Sequence, residues 1–403
     1  MLTLSKKAQA MPASPIRKLV PFADAAKKRG IKVYHLNIGQ PDIESPKEAL
    51  DAVKNNKLKV VEYAKSGGND SLREGLARYY KGIGINVEAA DINITNGGSE
   101  ALQIALAVTC NPDDEVIVFE PFYTNYNSFA LQNDVKLVPI TTHIEDGFAL
   151  PPMSEVEKRI TPRTKGVVIC NPGNPTGCLY TKQALLELGE IAKKYQLFIY
   201  ADEVYREFCY TDEPHFSAMN IPGCEQNVIL VDSVSKRYNL CGARIGCIVS
   251  HNKDVMAAAL KFAQSRLCPP VLGQYAAIGA LDTPQAYFDE VRQEYIRRRD
   301  CAVEMLNAIP GVFAPKPYGA FYTVAELPVE NAEDFARWML TDFRRDGATT
   351  MVTPAASFYK TPGVGRNHVR IAYVLEVPEL KKALEILAEG LTEYCKLNGY
   401  AMA

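Results

Sequence analysis

Lys236 follows the apolar, strand-like run Asn227-Val-Ile-Leu-Val-Asp-Ser-Val-Ser235 and precedes Gly242-Ala-Arg-Ile-Gly246. An amine with Ser233 and Ser235 before it and Arg244 shortly after it suggests a reactive lysine beside a phosphate site. A strand-end lysine on its own is ordinarily a solvated charge. Other strand-like runs, however, end in groups of matching chemistry. After Ile92-Asn-Ile-Thr95 comes Asn96-Gly-Gly-Ser-Glu-Ala101, where glycines admit a ligand close to the backbone. The helix that starts there points its amides, those of Gly98 and Ser99 among them, at an anion. Glu120-Pro-Phe-Tyr123 places Tyr123 where its ring can lie on a flat ligand. Asn171-Pro-Gly-Asn-Pro-Thr-Gly177 has two Asn-Pro steps that restrict the backbone and aim the Asn174 amide. Phe198-Ile-Tyr-Ala201 delivers Asp202, with Tyr205 one turn later on a helix expected to begin there. A carboxylate leaving a buried strand needs a cationic or hydrogen-donating partner.

Pyridoxal 5'-phosphate meets all of these groups at once. It is a flat aromatic aldehyde with a phosphate, a phenolic oxygen and a ring nitrogen, and its enzymes use a Schiff-base lysine and an acid for that nitrogen. Lys236 supplies the amine, and Asp202 keeps the ring nitrogen protonated so that the ring draws electrons. Asn174 and Tyr205 hydrogen-bond the phenolic oxygen, and Tyr123 stacks on the ring. Gly98, Ser99, Ser233, Ser235 and Arg244 take the phosphate.

These residues must be carried to one edge of a sheet. Continuous apolar runs at Ile92–Thr95, Glu115–Phe119, Val135–Pro139, Gly166–Cys170, Leu197–Tyr200, Val228–Ser233 and Ile245–Ser250 predict a mostly parallel, seven-stranded sheet buried on both faces. In such α/β sheets ligands bind beyond the carboxyl ends of the strands. Before this block, a helix pattern from Pro15 through Lys28, a strand at Val33–Ile38 and a turn at Gly39–Asp42 form an arm. After it, a charged helix from Phe288 to Ala308 leads to strands at Phe321–Val324, Thr349–Val352 and Val369–Tyr373. We expect a large cofactor-binding domain over residues 46–283, with residues 1–45 and 284–403 forming the arm and a smaller α+β domain.

The 403 residues carry a formal net charge of −2 with no long one-sign run, which excludes an electrostatic footprint for nucleic acid or an anionic membrane. Ten cysteines without a Cys-x-x-Cys pair and five histidines without metal spacing imply free thiols in a cytoplasmic protein and no metal site. No stretch reaches the length needed to span a bilayer. The expected partners are small molecules and further copies of this chain.

Across nearly its whole length the chain resembles the class I/II aminotransferases of the aspartate aminotransferase superfamily, fold type I. The resemblance rests on Asn37-Ile-Gly-Gln-Pro-Asp42, Tyr63 with Gly67 and Leu72-Arg73, Asn96–Ala101, Asn171–Gly177, Asp202-Glu-Val-Tyr205, Ser233-Val-Ser-Lys236, Gly242–Gly246 and Val369-Arg-Ile371. It implies a ping-pong transfer of an amino group from an L-amino acid to a 2-oxo acid, with Lys236 as the base. It also implies that Arg370 binds the substrate α-carboxylate, helped by Gly39 and Asn174. Tyr63 is expected to reach the phosphate of the other subunit, making a homodimer with shared active sites.

Aspartate with 2-oxoglutarate is the first expectation for substrate, with Arg266 as the cation for a side-chain carboxylate and Arg17, Lys18 and Lys65 as alternatives. The chain departs from one related subgroup in having Ser99 and Glu100, not a lysine, in the phosphate-loop helix. The rivals are an aromatic or broad specificity, with Phe22, Tyr123 and Tyr126 near the mouth, and a carbon–sulfur β-lyase on the same scaffold. A non-catalytic regulatory module is disfavoured, because the lysine–aspartate–arginine set is complete and no basic DNA-binding segment precedes it.

Overall fold

Strand β1 (Lys32–His35) precedes seven strands: β2 (Ile92–Thr95), β3 (Glu115–Glu120), β4 (Lys136–Thr141), β5 (Thr164–Cys170), β6 (Phe198–Asp202), β7 (Val228–Ser233) and β8 (Gly246–Val249). In the computed structural model, which describes residues 2–402, these seven form one sheet in the order β2-β8-β7-β6-β5-β3-β4. Strand β8 runs antiparallel to both neighbours, and the remaining pairings are parallel. Every residue of β2, β3, β7 and β8 is buried, as their unbroken apolar runs require when helices cover both faces. Because β8 is reversed, its beginning lies at the edge where its neighbours end. That brings Arg244, just before β8, beside Ser233 at the end of β7.

A second body is built from the two ends of the chain. Strands β9 (Tyr322–Glu326), β11 (Thr353–Pro354) and β12 (His368–Ala372) make a three-stranded antiparallel sheet, and β1 pairs in parallel with β10 (Ala348–Met351). One core cluster joins Leu19–Leu36 residues to those between Val291 and Cys395, while two others lie within the large sheet and its helices. The bridge between them is aromatic, with Tyr205 and Phe208 in T-shaped contact with Phe321 at 5.2 Å.

Several boundaries differ from expectation. The N-terminal helix covers Val20–Lys28 only, and residues 15–19 are turns. Pro21 explains this, since its missing N–H is tolerated in the first helical turn and not further in. The long charged helix spans Gln285–Asn307, starting right after Pro284. No helix begins at Asp202; residues 204–207 form a tight turn closed by the Phe208 amide donating to Tyr205 O at 2.8 Å. Among the described residues, no helix is long and apolar enough to cross a membrane.

Candidate active site

The strand ends and the two chain-terminal segments enclose a cavity of roughly 760 Å³. Its walls contain Gly39, Gly98, Ser99, Tyr123, Asn174, Asp202, Tyr205, Ser233, Ser235, Lys236, Arg244 and Arg370, so the structure brings together every residue expected for the cofactor and the α-carboxylate except Tyr63, while Phe22, Lys18, Lys65 and Arg266 do not line it. Tyr63 is 79% exposed on a segment that also exposes Leu58, Val60 and Val61.

Lys236 lies in a single helical turn, Val234–Arg237, capped by the Ser233 hydroxyl accepting from the Ser235 amide at 2.9 Å. Its ammonium donates to Gly39 O at 2.8 Å and lies 3.7 Å from Cys241 Sγ. A Cβ on Gly39 would fall 1.6 Å from the Tyr322 hydroxyl, so any side chain there would have to displace the Tyr322 ring.

Asp202 ends β6 and accepts a hydrogen bond from the Tyr126 hydroxyl at 2.7 Å. Burial raises its carboxyl to about 6, with the Tyr126 hydroxyl and the Val204 amide working in the other direction. The partner that Asp202 requires is therefore Tyr126, which lies three residues beyond Tyr123 on the helix Asn125–Gln132. The ring of Tyr126 also meets that of Tyr123 edge-on at 5.6 Å. The Tyr205 hydroxyl is 3.0 Å from that of Tyr322, and burial pushes the Tyr205 phenol well above its usual range.

The opposite wall is suited to an anion. The helix Gly97–Thr109 opens on two glycines, and Gly97 has φ +77°. A Cβ on Gly97 would come within 2.6 Å of the Arg244 guanidinium, which donates to Cys241 O at 2.9 Å. Backbone amides at a helix start, two serine hydroxyls and a guanidinium thus converge on one end of the cavity, a donor set that fits a phosphate.

Arg370, in β12, is buried and donates to Asn174 Oδ1 at 3.1 Å and Asn37 O at 2.6 Å. Its Nε is buried without a partner, and among the described residues no acidic side chain pairs with it. Burial lowers its pKa while the Tyr322 and Tyr205 hydroxyls oppose that. A buried guanidinium with an open donor fits a carboxylate ligand.

Arg266 is not a free side-chain cation. It forms an ion pair with Glu100 at 3.1 Å and donates to Ile94 O at 3.1 Å and Ser66 O at 3.4 Å, so every nitrogen of its guanidinium is engaged. Lys18 pairs with Glu333 and Lys65 with Asp70. Arg17, the remaining alternative, is exposed and lines the cavity. Sequence reasoning also missed Tyr322 and Cys241. Tyr322 lies on a strand with no motif around it, and only its register against β12, where Tyr322 faces Ala372, brings it to Arg370.

Residues 31–387 match the family model described as aminotransferase class I and II. The aspartate/prephenate aminotransferase of Thermus thermophilus is 30% identical over 97% of this chain and 99% of its own length. The glutamate-pyruvate aminotransferase AlaA of Escherichia coli is 31% identical over 93% and 94%. A solved aspartate aminotransferase from Thermus thermophilus with maleate superposes with TM-score 0.88 at 29% identity, covering 97% of this chain and all of that one. Proteins of this family are generally dependent on pyridoxal phosphate, act on amino and 2-oxo acids, and typically work as dimers. A match of this extent, on a chain whose strand ends converge as described, makes the protein a member of the class I and II aminotransferases, an aspartate aminotransferase-like transaminase.

Proposed function

We propose that this chain is a pyridoxal 5'-phosphate-dependent transaminase with Lys236 as its reactive amine and Arg370 as its α-carboxylate anchor. The observation that carries the reading is the pairing, across one cavity, of an amine on a pinned helical turn with a buried guanidinium that has an open donor. When bound, the cofactor supplies an aldehyde that captures an amine and a cationic ring that draws electrons from the substrate α-carbon. Gly98, Ser99, Ser233, Ser235 and Arg244 would hold its phosphate, Asp202 its ring nitrogen, Asn174 and Tyr205 its phenolic oxygen, and Tyr123 its ring. Lys236 Nζ would be the base that removes the substrate α-proton. Arg370 orients the substrate through its carboxylate, so that the α-proton faces Lys236.

The substrate side chain meets Arg17, a guanidinium on the cavity wall with no ion pair among the described residues. That supports a dicarboxylic donor or acceptor, with aspartate or glutamate as amino acid and 2-oxoglutarate as oxo acid. Two relatives are named for those amino acids. Tyr63, exposed beside Leu58, Val60 and Val61, reaches the phosphate of a second copy, giving a homodimer with shared sites. Separate cores support a division into a cofactor-binding domain over residues 46–283 and a second body from residues 1–45 and 284–403.

The test is a single-turnover half reaction in which holoenzyme is mixed with L-amino acids and no acceptor, and the cofactor absorbance is followed. Aspartate or glutamate should react fastest, and Arg17→Ala should slow these about tenfold or more while sparing alanine. If aromatic amino acids react faster than either, the dicarboxylate reading fails. If pyruvate and ammonia accumulate over many cycles, the enzyme is a β-lyase.

A further inference from the structure

Four charged side chains lie behind the cavity, and each is the sequence neighbour of a residue on its wall. Glu203 follows Asp202, Arg206 follows Tyr205, Asp232 precedes Ser233 and Arg237 follows Lys236. Their side chains are only 1–4% exposed and form one connected set. Arg206 donates to Glu203 Oε2 at 3.0 and 3.2 Å and to Asp232 Oδ2 at 3.0 Å. Arg237 donates to the same Asp232 oxygen, as does the Tyr80 hydroxyl at 2.7 Å. The other Asp232 oxygen accepts from the Ser233 amide at 2.7 Å, and Glu203 Oε1 from the Ala218 amide at 2.8 Å. Burial works against the Asp232 charge, but Arg237, Arg206 and Tyr80 outweigh it and hold the carboxyl down at about 2.

Such a cluster has a weak rationale as a stabiliser, because apolar residues of similar volume usually hold a core as well as a buried ion pair does. It has a strong one as a jig. Charge-assisted forks have narrow preferred distances and planes, and here they tie together the ends of β6 and β7, the turn carrying Tyr205 and the helical turn carrying Lys236. A displacement of about 1 Å in reacting groups is enough to lower a rate by roughly a hundredfold.

We propose that Glu203, Arg206, Asp232 and Arg237 are positioning residues that set the Lys236 turn against Asp202 and Tyr205 from behind the sheet. This rests on the cofactor reading above. The test compares wild-type holoenzyme with Arg237→Met, Arg237→Lys and the jointly neutralised Glu203→Gln/Arg206→Met. The readouts are the induced circular dichroism of the bound cofactor per mole bound, kcat, KM and Tm. Arg237→Met and the neutral pair should each lower kcat about tenfold or more with KM within about threefold, and reduce the induced band by about half or more. Arg237→Lys, which keeps the charge, should retain most of both signals. Should Arg237→Met not fold, the neutral pair, which strands no charge, decides. Folded variants with a wild-type induced band overturn the proposal, even where Tm has dropped, since the cluster is then structural only. A wild type with no lysine-dependent band overturns the cofactor reading itself, which is a separable result.

Discussion

Asp202 and Tyr126 share one proton's fate. In the proposed role Asp202 has to stay ionised to hold a cationic ring, yet burial lifts its carboxyl from 3.8 to about 6, and the Tyr126 hydroxyl at 2.7 Å works against that rise. Removing the donor in Tyr126→Phe should raise the acid limb of the kcat/KM pH profile by about one pH unit; an unmoved limb would show that Asp202 does not govern it. Stability gives an independent reading. A carboxyl with a folded pKa above its unfolded one favours folding below the unfolded value, and that contribution is lost as pH rises through about 6. Cofactor-free Asp202→Asn should thus be ~2–3 kcal/mol more stable than the parent at pH ~8 and no more stable at pH ~4, while transamination by the cofactor-loaded variant falls at least about 100-fold. Chemical denaturation at the two pH values checks the first part, and steady-state rates check the second. At this scale the sequence was readable wherever a residue follows a strand, as Lys236, Asp202 and Asn174 do. It was unreadable where a partner comes from helix phase or strand register, as for Tyr126 and Tyr322. Arg266 could not be told from Arg17 as the side-chain cation, because its ion pair with Glu100 depends on how the segment Ser265–Pro270 crosses the end of β2.

Strand direction decides how the elements serve the site. The parallel strands β3, β5, β6 and β7 deliver residues at their ends, whereas the reversed β8 delivers Arg244 at its start. Apolar runs reveal a strand but not its sense, so this reversal was not legible in the sequence; the composition of the strands was, since burial on both faces demands it. The start of the Gly97–Thr109 helix can be tested by a single change. Gly97→Ala would place a Cβ in a φ +77° conformation and 2.6 Å from Arg244. It should weaken pyridoxal 5'-phosphate binding about tenfold or more and leave pyridoxal, which lacks the phosphate, nearly unaffected, as equilibrium binding titrations would show. An equal loss for both ligands would mean that the helix start does not read the phosphate.

For the molecule as a whole, the sequence suggests two bodies and a second copy; one core gathers the two chain-terminal segments together with Tyr205, Phe208 and Tyr210, and two others lie with the large sheet. Tyr63 stands exposed outside its own cavity, and the proposal makes it the link to a second copy. If it serves a neighbour, a Tyr63→Ala chain and a Lys236→Ala chain, each nearly inactive, should complement one another. Random mixing should restore roughly a quarter of wild-type activity, since half the dimers then hold one intact site. No recovery on mixing would place Tyr63 within its own subunit's site or outside catalysis.

The central claim concerns one amine among many. Holoenzyme reduced with borohydride, digested and read by mass spectrometry should carry the pyridoxyl phosphate adduct on the peptide containing Lys236, and Lys236→Ala should carry none. An adduct on another lysine, or an unmodified Lys236 in protein with a full complement of cofactor, would contradict the account.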